Sequence, residues 1–304
     1  MKITLVEKIP DFFIVGAAKS GTTSLWYYLG QNPNIFMTKD FDYKELGFFS
    51  DNYGINSLYE YVSFFKEATD NQIIGEACHA YLSSPESATL IHQYNPNAKI
   101  IIILRNPIDR AYSLYNWMVA AGFEYASSFE KALELEKSRL IDLKFRGKPI
   151  FPIYFRNYAY YSSGLYYEQV NRYLQTFGRD KCYILLFENF KKNIRKNCQD
   201  ILTFLEAPAS FEFDSEPQNE SLTIKYPFIQ YHLRNNFHRL AKKIFLSQKR
   251  TDYLYNFIWN WNIIKKKPEN INLETAKELQ EKYKDDILKT GDLIQQDTTI
   301  WFKY

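Results

Sequence analysis

The stretch Phe12-Phe13-Ile14-Val15-Gly16-Ala17-Ala18-Lys19-Ser20-Gly21-Thr22-Thr23-Ser24 constrains this chain more than any other. Four apolar residues in a row fit a strand covered on both faces. Gly16, Ala17, Ala18 and Gly21 then form a turn of small residues that lets backbone wrap closely around a ligand. Thr22, Thr23 and Ser24 open a helix whose apolar positions include Leu25, Tyr28 and Leu29. Free backbone N–H groups at a helix start, together with the helix dipole, make an anion cradle. Lys19 adds a mobile positive charge inside it. A phosphate or sulfate ester is the expected ligand.

The loop nearly matches a nucleotide-binding P-loop. Gly16 and Gly21 have the G-x-x-x-x-G spacing, but Thr22 stands where the P-loop lysine belongs, and the lysine has moved into the loop at position 19. The next strong strand, Ile100-Ile101-Ile102-Ile103-Leu104, ends in Arg105 rather than in an aspartate that would hold Mg²⁺. An arginine there binds an anion and not a metal. Both features suit a donor that carries phosphate at two places and is handled without metal.

With both segments in view, the chain resembles the sulfotransferases that use 3′-phosphoadenosine 5′-phosphosulfate (PAPS). Lys19-Ser20-Gly21-Thr22-Thr23-Ser24 is similar to their 5′-phosphosulfate loop. Leu104-Arg105-Asn106-Pro107-Ile108-Asp109-Arg110-Ala111-Tyr112-Ser113 is similar to their 3′-phosphate site, whose paired ligands map onto Arg105 and Ser113. The match looks closest to the carbohydrate branch, the heparan sulfate-type enzymes and their bacterial relatives, and is strong to about Phe190. It implies a P-loop-like α/β fold, a central and mostly parallel sheet flanked by helices, in a single sulfotransferase domain over residues 1–304.

The same resemblance names further residues. Glu45-Leu46-Gly47-Phe48-Phe49 has the family's glutamate shortly before a Phe-Phe pair, which makes Glu45 the catalytic base, with Asp40 and Asp42 as nearby substitutes and Lys44 beside it. Loss of a proton from an attacking hydroxyl or amine requires such a group. Glu76-Ala77-Cys78-His79-Ala80-Tyr81 is similar to a segment lining the family's site, with Ala77 where a lysine is often found. His79 is a candidate to replace that lysine in part, as a donor or an alternative base. Tyr161 and Ser163, just before a Gly-x-Tyr segment, are candidates for the nucleotide, against plain helix capping by Ser162 or Ser163. Lys225, in a stretch 219–225 that would close over the nucleotide, is a candidate 3′-phosphate contact. Arg110 and Tyr112 are assigned to packing and salt bridges.

Composition bounds the remainder. The 304 residues suffice for one large α/β domain, and the net charge of +3 is too weak to imply a nucleic-acid partner. Cys78, Cys182 and Cys198 are few, odd in number and far apart, which fits a reducing compartment. Neither a secretory leader nor a membrane-spanning run is visible, so a cytoplasmic enzyme is expected, with peripheral membrane contact left open. The stretch 142–156, basic and aromatic, reads as a flexible loop over an acceptor cleft. The stretch 226–267 is rich in aromatics and cations. It reads either as an acceptor- or membrane-binding patch, or as a solvated helical pair packed through Leu240, Phe245, Leu254, Ile258 and Trp261. The acceptor would be a carbohydrate or glycolipid. The rival functions are a Mg²⁺-dependent P-loop kinase and a non-catalytic carbohydrate- or lipid-binding relative.

Overall fold

The computed structural model describes residues 8–38, 43–50, 54–142, 155–209, 214, 223–243, 247–264 and 269–304. Asp40, Asp42, Phe245 and the stretches 143–154, 219–222 and 265–267 lie outside these residues.

Five strands form the central sheet: β1 (Phe12–Gly16), β2 (Ile35–Phe36), β3 (Ile73–Ala77), β4 (Lys99–Leu104) and β5 (Cys182–Leu186). Their spatial order is β2-β3-β1-β4-β5. Every pairing is parallel, so this sheet is wholly rather than mostly parallel. The unbroken apolar runs have the expected cause. Phe13, Val15, Ile100 and Ile102 point into one hydrophobic layer, and Phe12, Ile14, Ile101 and Ile103 into the other. Each layer is roofed by helices.

The helices flanking the sheet are α1 (Thr22–Leu29), α2 (Leu58–Ser63), α3 (Ala80–Ser83), α4 (Ser87–Tyr94), α5 (Pro107–Ala120), α6 (Phe129–Ile141), α7 (Tyr166–Phe177), α8 (Phe187–Lys192) and α9 (Ile194–Phe204). They are followed by α10 (Pro227–Lys243), α11 (Gln248–Asn262) and α12 (Leu273–Ile294). The apolar run from Cys182 predicts a strand over residues 182–188, but Phe187 and Glu188 instead open α8. A two-stranded antiparallel ribbon, β6 (Thr223–Ile224) with β7 (Ile263–Ile264), stands where the sequence suggests loop, and joins the base of α10 to the end of α11.

The end of β4 is held by a knot of side chains. Asn106 caps α5 by accepting from the N–H groups of Ile108 and Asp109, and its amide donates to the Trp301 carbonyl at 2.9 Å. Glu188 accepts from the Asn106 N–H at 3.0 Å and from the Trp301 indole at 3.1 Å. The Trp segment near the C-terminus therefore packs in the core and also fixes the turn that presents Arg105.

Candidate active site

β1 and β4 are neighbours, and the loop after β1 and Arg105 after β4 emerge at the same C-terminal edge of the sheet. Open parallel sheets bind ligands at this edge. The loop is tied down by the Ala17 N–H, which donates to the Ile103 carbonyl at 2.7 Å. Gly21, at φ 89°, caps α1 in the left-handed region, and no side chain caps the helix. The first-turn N–H groups therefore keep their donors, as every helix start does without a capping side chain. Ser20 is fully buried and its hydroxyl has no partner among the described residues. Thr22 is buried, Thr23 is half-buried, and Ser24 bonds the Tyr28 hydroxyl.

Lys19 is itself left-handed at φ 62°. Arg105 spans the loop from below. Its Nη1 donates to the Lys19 carbonyl at 2.9 Å, its guanidinium lies 5.1 Å from the Phe187 ring centroid, and its carbonyl accepts from the Tyr166 hydroxyl. Ser113 and Trp117 share a face of α5, one turn apart, and the Trp117 ring lies 5.7 Å from the Lys19 ammonium. Ser113 is thereby on the side of the helix that faces the loop. Burial, with repulsion from Arg105 and from Lys44, pulls the Lys19 pKa down to about 8, against a smaller pull upward from Glu45. Converging cations of this kind attract a polyanion.

Glu45 lies at the centre of a short polar array. Lys44, buried at 3 % exposure, donates to its Oε1 at 2.6 Å, and His79 Nδ1 meets its Oε2. The other ring nitrogen of His79, Nε2, is 2.9 Å from Asn157 Oδ1. Burial pushes the Glu45 carboxyl upward, but His79 and Lys44 outweigh it and hold the group well below the ordinary carboxylate range. Glu45 is thus an anion with one oxygen on each partner. Glu76 lies buried behind it and accepts from the hydroxyls of Tyr61 (2.6 Å) and Tyr81 (2.5 Å). Burial raises its pKa to about 7, helped by Glu45 and opposed by the two hydroxyls.

A small, narrow pocket adjoins His79, bounded by Ala17, Ala18, Asn157, Ser163 and Arg110. Arg110 is fully buried and donates to the Tyr160 carbonyl. It makes no salt bridge among the described residues, contrary to expectation, because its neighbours offer carbonyls and hydroxyls instead of a carboxylate. Tyr112 packs against Tyr115 and Phe129.

Ser162 and Ser163 do not cap the helix that follows. Ser162 binds Glu136, Ser163 bonds the Ala159 carbonyl, and α7 is capped by Asp286 of α12, which accepts from the N–H groups of Tyr166 and Tyr167. Tyr161 packs at a tilt on Tyr283, centroids 4.7 Å apart, and donates to the Lys282 carbonyl, so part of its ring is committed to α12. Ser163 does reach the cavity beside the loop. Lys225 has its ammonium 5.1 Å from the Trp261 centroid and its N–H on the Asn262 carbonyl. Its described contacts join it to α11, not to Arg105 or Ser113. Sequence reasoning missed Asn157 and Trp117; Asn157 is 78 positions from His79 and carries no motif of its own.

The family described as "Sulfotransferase domain" matches residues 9–284. A crystal structure of a sulfotransferase from Alicyclobacillus acidocaldarius is 27 % identical, covers 97 % of this chain and all of its own, and superposes with a TM-score of 0.73. A membrane-associated sulfotransferase, kil1, of Dictyostelium discoideum is 36 % identical over 114 residues, covering 36 % of this chain and 23 % of that protein. A bifunctional heparan sulfate N-deacetylase/N-sulfotransferase of Caenorhabditis briggsae is 26 % identical over 218 residues, covering 69 % of this chain and 24 % of that protein. The matched parts thus make up about a quarter of the length of those two relatives. With a family model matching residues 9–284, this chain belongs to the sulfotransferase domain family.

Proposed function

We propose that this sulfotransferase moves a sulfonate group from PAPS to a hydroxyl or amine of a carbohydrate or glycolipid acceptor, within one domain spanning residues 1–304. The observation that carries the reading is the pairing of two anion sites on one sheet edge. One is the uncapped start of α1 with Lys19; the other is Arg105, with Ser113 on the loop-facing side of α5. PAPS has a 5′-phosphosulfate and a 3′-phosphate to match them. Amides of residues 20–23 hold the 5′-phosphate, Ser24, Tyr161 and Ser163 border the nucleotide, and Lys225 is a candidate contact for the 3′-phosphate.

In the transfer, the acceptor oxygen or nitrogen forms a bond to sulfur as the bond from sulfur to the 5′-phosphate oxygen breaks. The acceptor proton passes to Glu45, and Lys19 stabilises the charge gathering on the departing phosphate. No metal takes part. The part that a lysine at position 77 would play falls to Lys44 as a cation and, in part, to His79 as a hydrogen-bond donor or an alternative base. Ala77 itself is only 1 % exposed and packs in the core. A carbohydrate acceptor is supported by the heparan sulfate relative. The kinase reading loses its footing because lysine is absent from position 22 and the family is that of sulfotransferases.

Metal-free calorimetric titration with 3′-phosphoadenosine 5′-phosphate (PAP) and with ADP tests the donor. PAP binds the wild type, ADP binds weakly or not at all, and Arg105→Ala weakens PAP by about 1.5–3 kcal/mol, the range for a hydrogen bond to a charged group. Equal binding of PAP and ADP would overturn the assignment.

A further inference from the structure

The helical pair α10–α11 turns its aromatic residues outward. Leu240, Leu254 and Trp261, expected from the sequence to hold the pair together, are exposed at 54 %, 38 % and 47 %. The contacts between the helices are made by others, including Phe237 against Tyr255, while Leu233 and Ala241 are buried. Seven of the sixteen exposed large hydrophobic side chains among the described residues fall between Tyr226 and Trp261. On α11, Tyr253, Phe257 and Trp261 recur at every fourth position and form one stripe. Lys249 and Arg250 stand at the N-terminal end of that stripe, both exposed.

Charge is as one-sided as the apolar surface. From Lys225 to Ile264 the chain has seven Lys and Arg against a single acid, Asp252. A second copy of the same face would bring these cations together, which argues against self-association. A polysaccharide would satisfy the cations, but it offers little to Phe228, Leu240, Leu254 and Phe257, whose tips carry no polar atom. Rings and aliphatic tips flanked by Lys and Arg match the layered chemistry of an anionic bilayer surface, with headgroup charge outside and acyl chains beneath.

We propose that the exposed face of α10–α11 is a docking surface for membranes bearing anionic lipid. No helix among the described residues is long and apolar enough to cross a bilayer, so the contact is peripheral. The pair is anchored to the domain through α5. Gln230 and Asn235 donate to the carbonyls of Ala120 and Gly122, and the Arg234 guanidinium lies 3.8 Å from the Phe123 ring centroid. Because Trp117 of the same helix lies over Lys19, docking would hold the reaction edge near the bilayer, where a glycolipid headgroup presents itself. The surface stands independently of the donor assignment.

The test is co-sedimentation of the full chain with vesicles of phosphatidylcholine alone and of phosphatidylcholine with phosphatidylserine, at low and high salt. Partition onto the anionic vesicles, weakened by salt, is expected. Lys249→Gln with Arg250→Gln lowers it ~30-fold, at about a fivefold factor per cation. Tyr253→Ser with Phe257→Ser lowers it by about tenfold or more through lost apolar contact. All four side chains are solvent-facing, so unchanged melting temperatures confirm that the variants fold. Failure to partition, or equal partition onto neutral vesicles, overturns the proposal. So does either rival occupant: heparin binding abolished by the same variants without vesicle binding, or a mass doubling in light scattering that Phe257→Ser removes.

Discussion

Lys19 shows how the surroundings of one side chain prepare it for a ligand. Its pKa of about 8 reflects burial and the nearby charges of Arg105 and Lys44, and a bound 5′-phosphate would reverse that balance. Near pH 8 the free protein holds Lys19 about half protonated, and donor binding raises its pKa, so the complex takes up roughly half a proton. At pH 6 Lys19 is already charged and contributes almost no uptake. Titration with PAP in two buffers of different ionisation enthalpy reads this directly, and Lys19→Met abolishes the difference. Residues of this kind were legible in the sequence because loop, glycines and lysine lie within a few positions of one another. The setting of Glu45 was only half legible. Lys44 adjoins it in sequence, but the ring of His79 and the amide of Asn157 come from distant segments that only the closed sheet brings together.

Among the elements, strands were readable because a parallel strand buried on both faces must be apolar at every position, as Ile100–Leu104 is. The same rule misplaced the end of β5. Phe187 is apolar and continues the pattern, but the chain turns there into α8, whose Glu188 joins the Asn106–Trp301 knot. Helix starts are legible where the cap is local: residues 57–65 and 128–140 read as helices in the sequence, and Ser57 and Ser128 cap them. The start of α7 is legible too, since the Gly-x-Tyr segment at 164–166 reads as opening a long helix, but its cap is not, being a carboxylate from α12, 120 positions away. Asp286→Ala should cost about 1–2 kcal/mol, the usual worth of an N-cap, measured by urea denaturation with Asp286→Asn as a partial rescue. A change within a few tenths of a kcal/mol would show that α7 does not depend on this cap. The outward turn of α11 was also hidden, because an aromatic stripe at helical spacing reads the same whether it faces core or solvent.

At the scale of the whole molecule, the five-stranded order follows from few rules, yet the pairing of β1 with both β3 and β4 creates the crevice that the donor loop occupies. Building that crevice leaves a carboxyl group buried behind it. Glu76 has a folded-state pKa of about 7, above the ordinary value near 4.5. Between those values the folded protein holds the proton that the unfolded chain has released, so this group makes stability fall as pH rises through the window. Glu76→Gln should flatten that slope, worth on the order of 3 kcal/mol at most, in melting curves taken from pH 5 to pH 8. An unchanged slope would mean that Glu76 is already ionised in the fold. At the C-terminal edge of the sheet, Glu45 is proposed as the base of sulfonate transfer. Single-turnover transfer of radiolabelled sulfonate from PAPS to a desulfated heparan-type glycan, in the wild type and in Glu45→Gln, tests it most directly. Label in the wild-type product, a loss of ~10²–10⁴-fold in rate for the variant and unaltered PAP affinity are expected. Transfer at the wild-type rate by Glu45→Gln would contradict it.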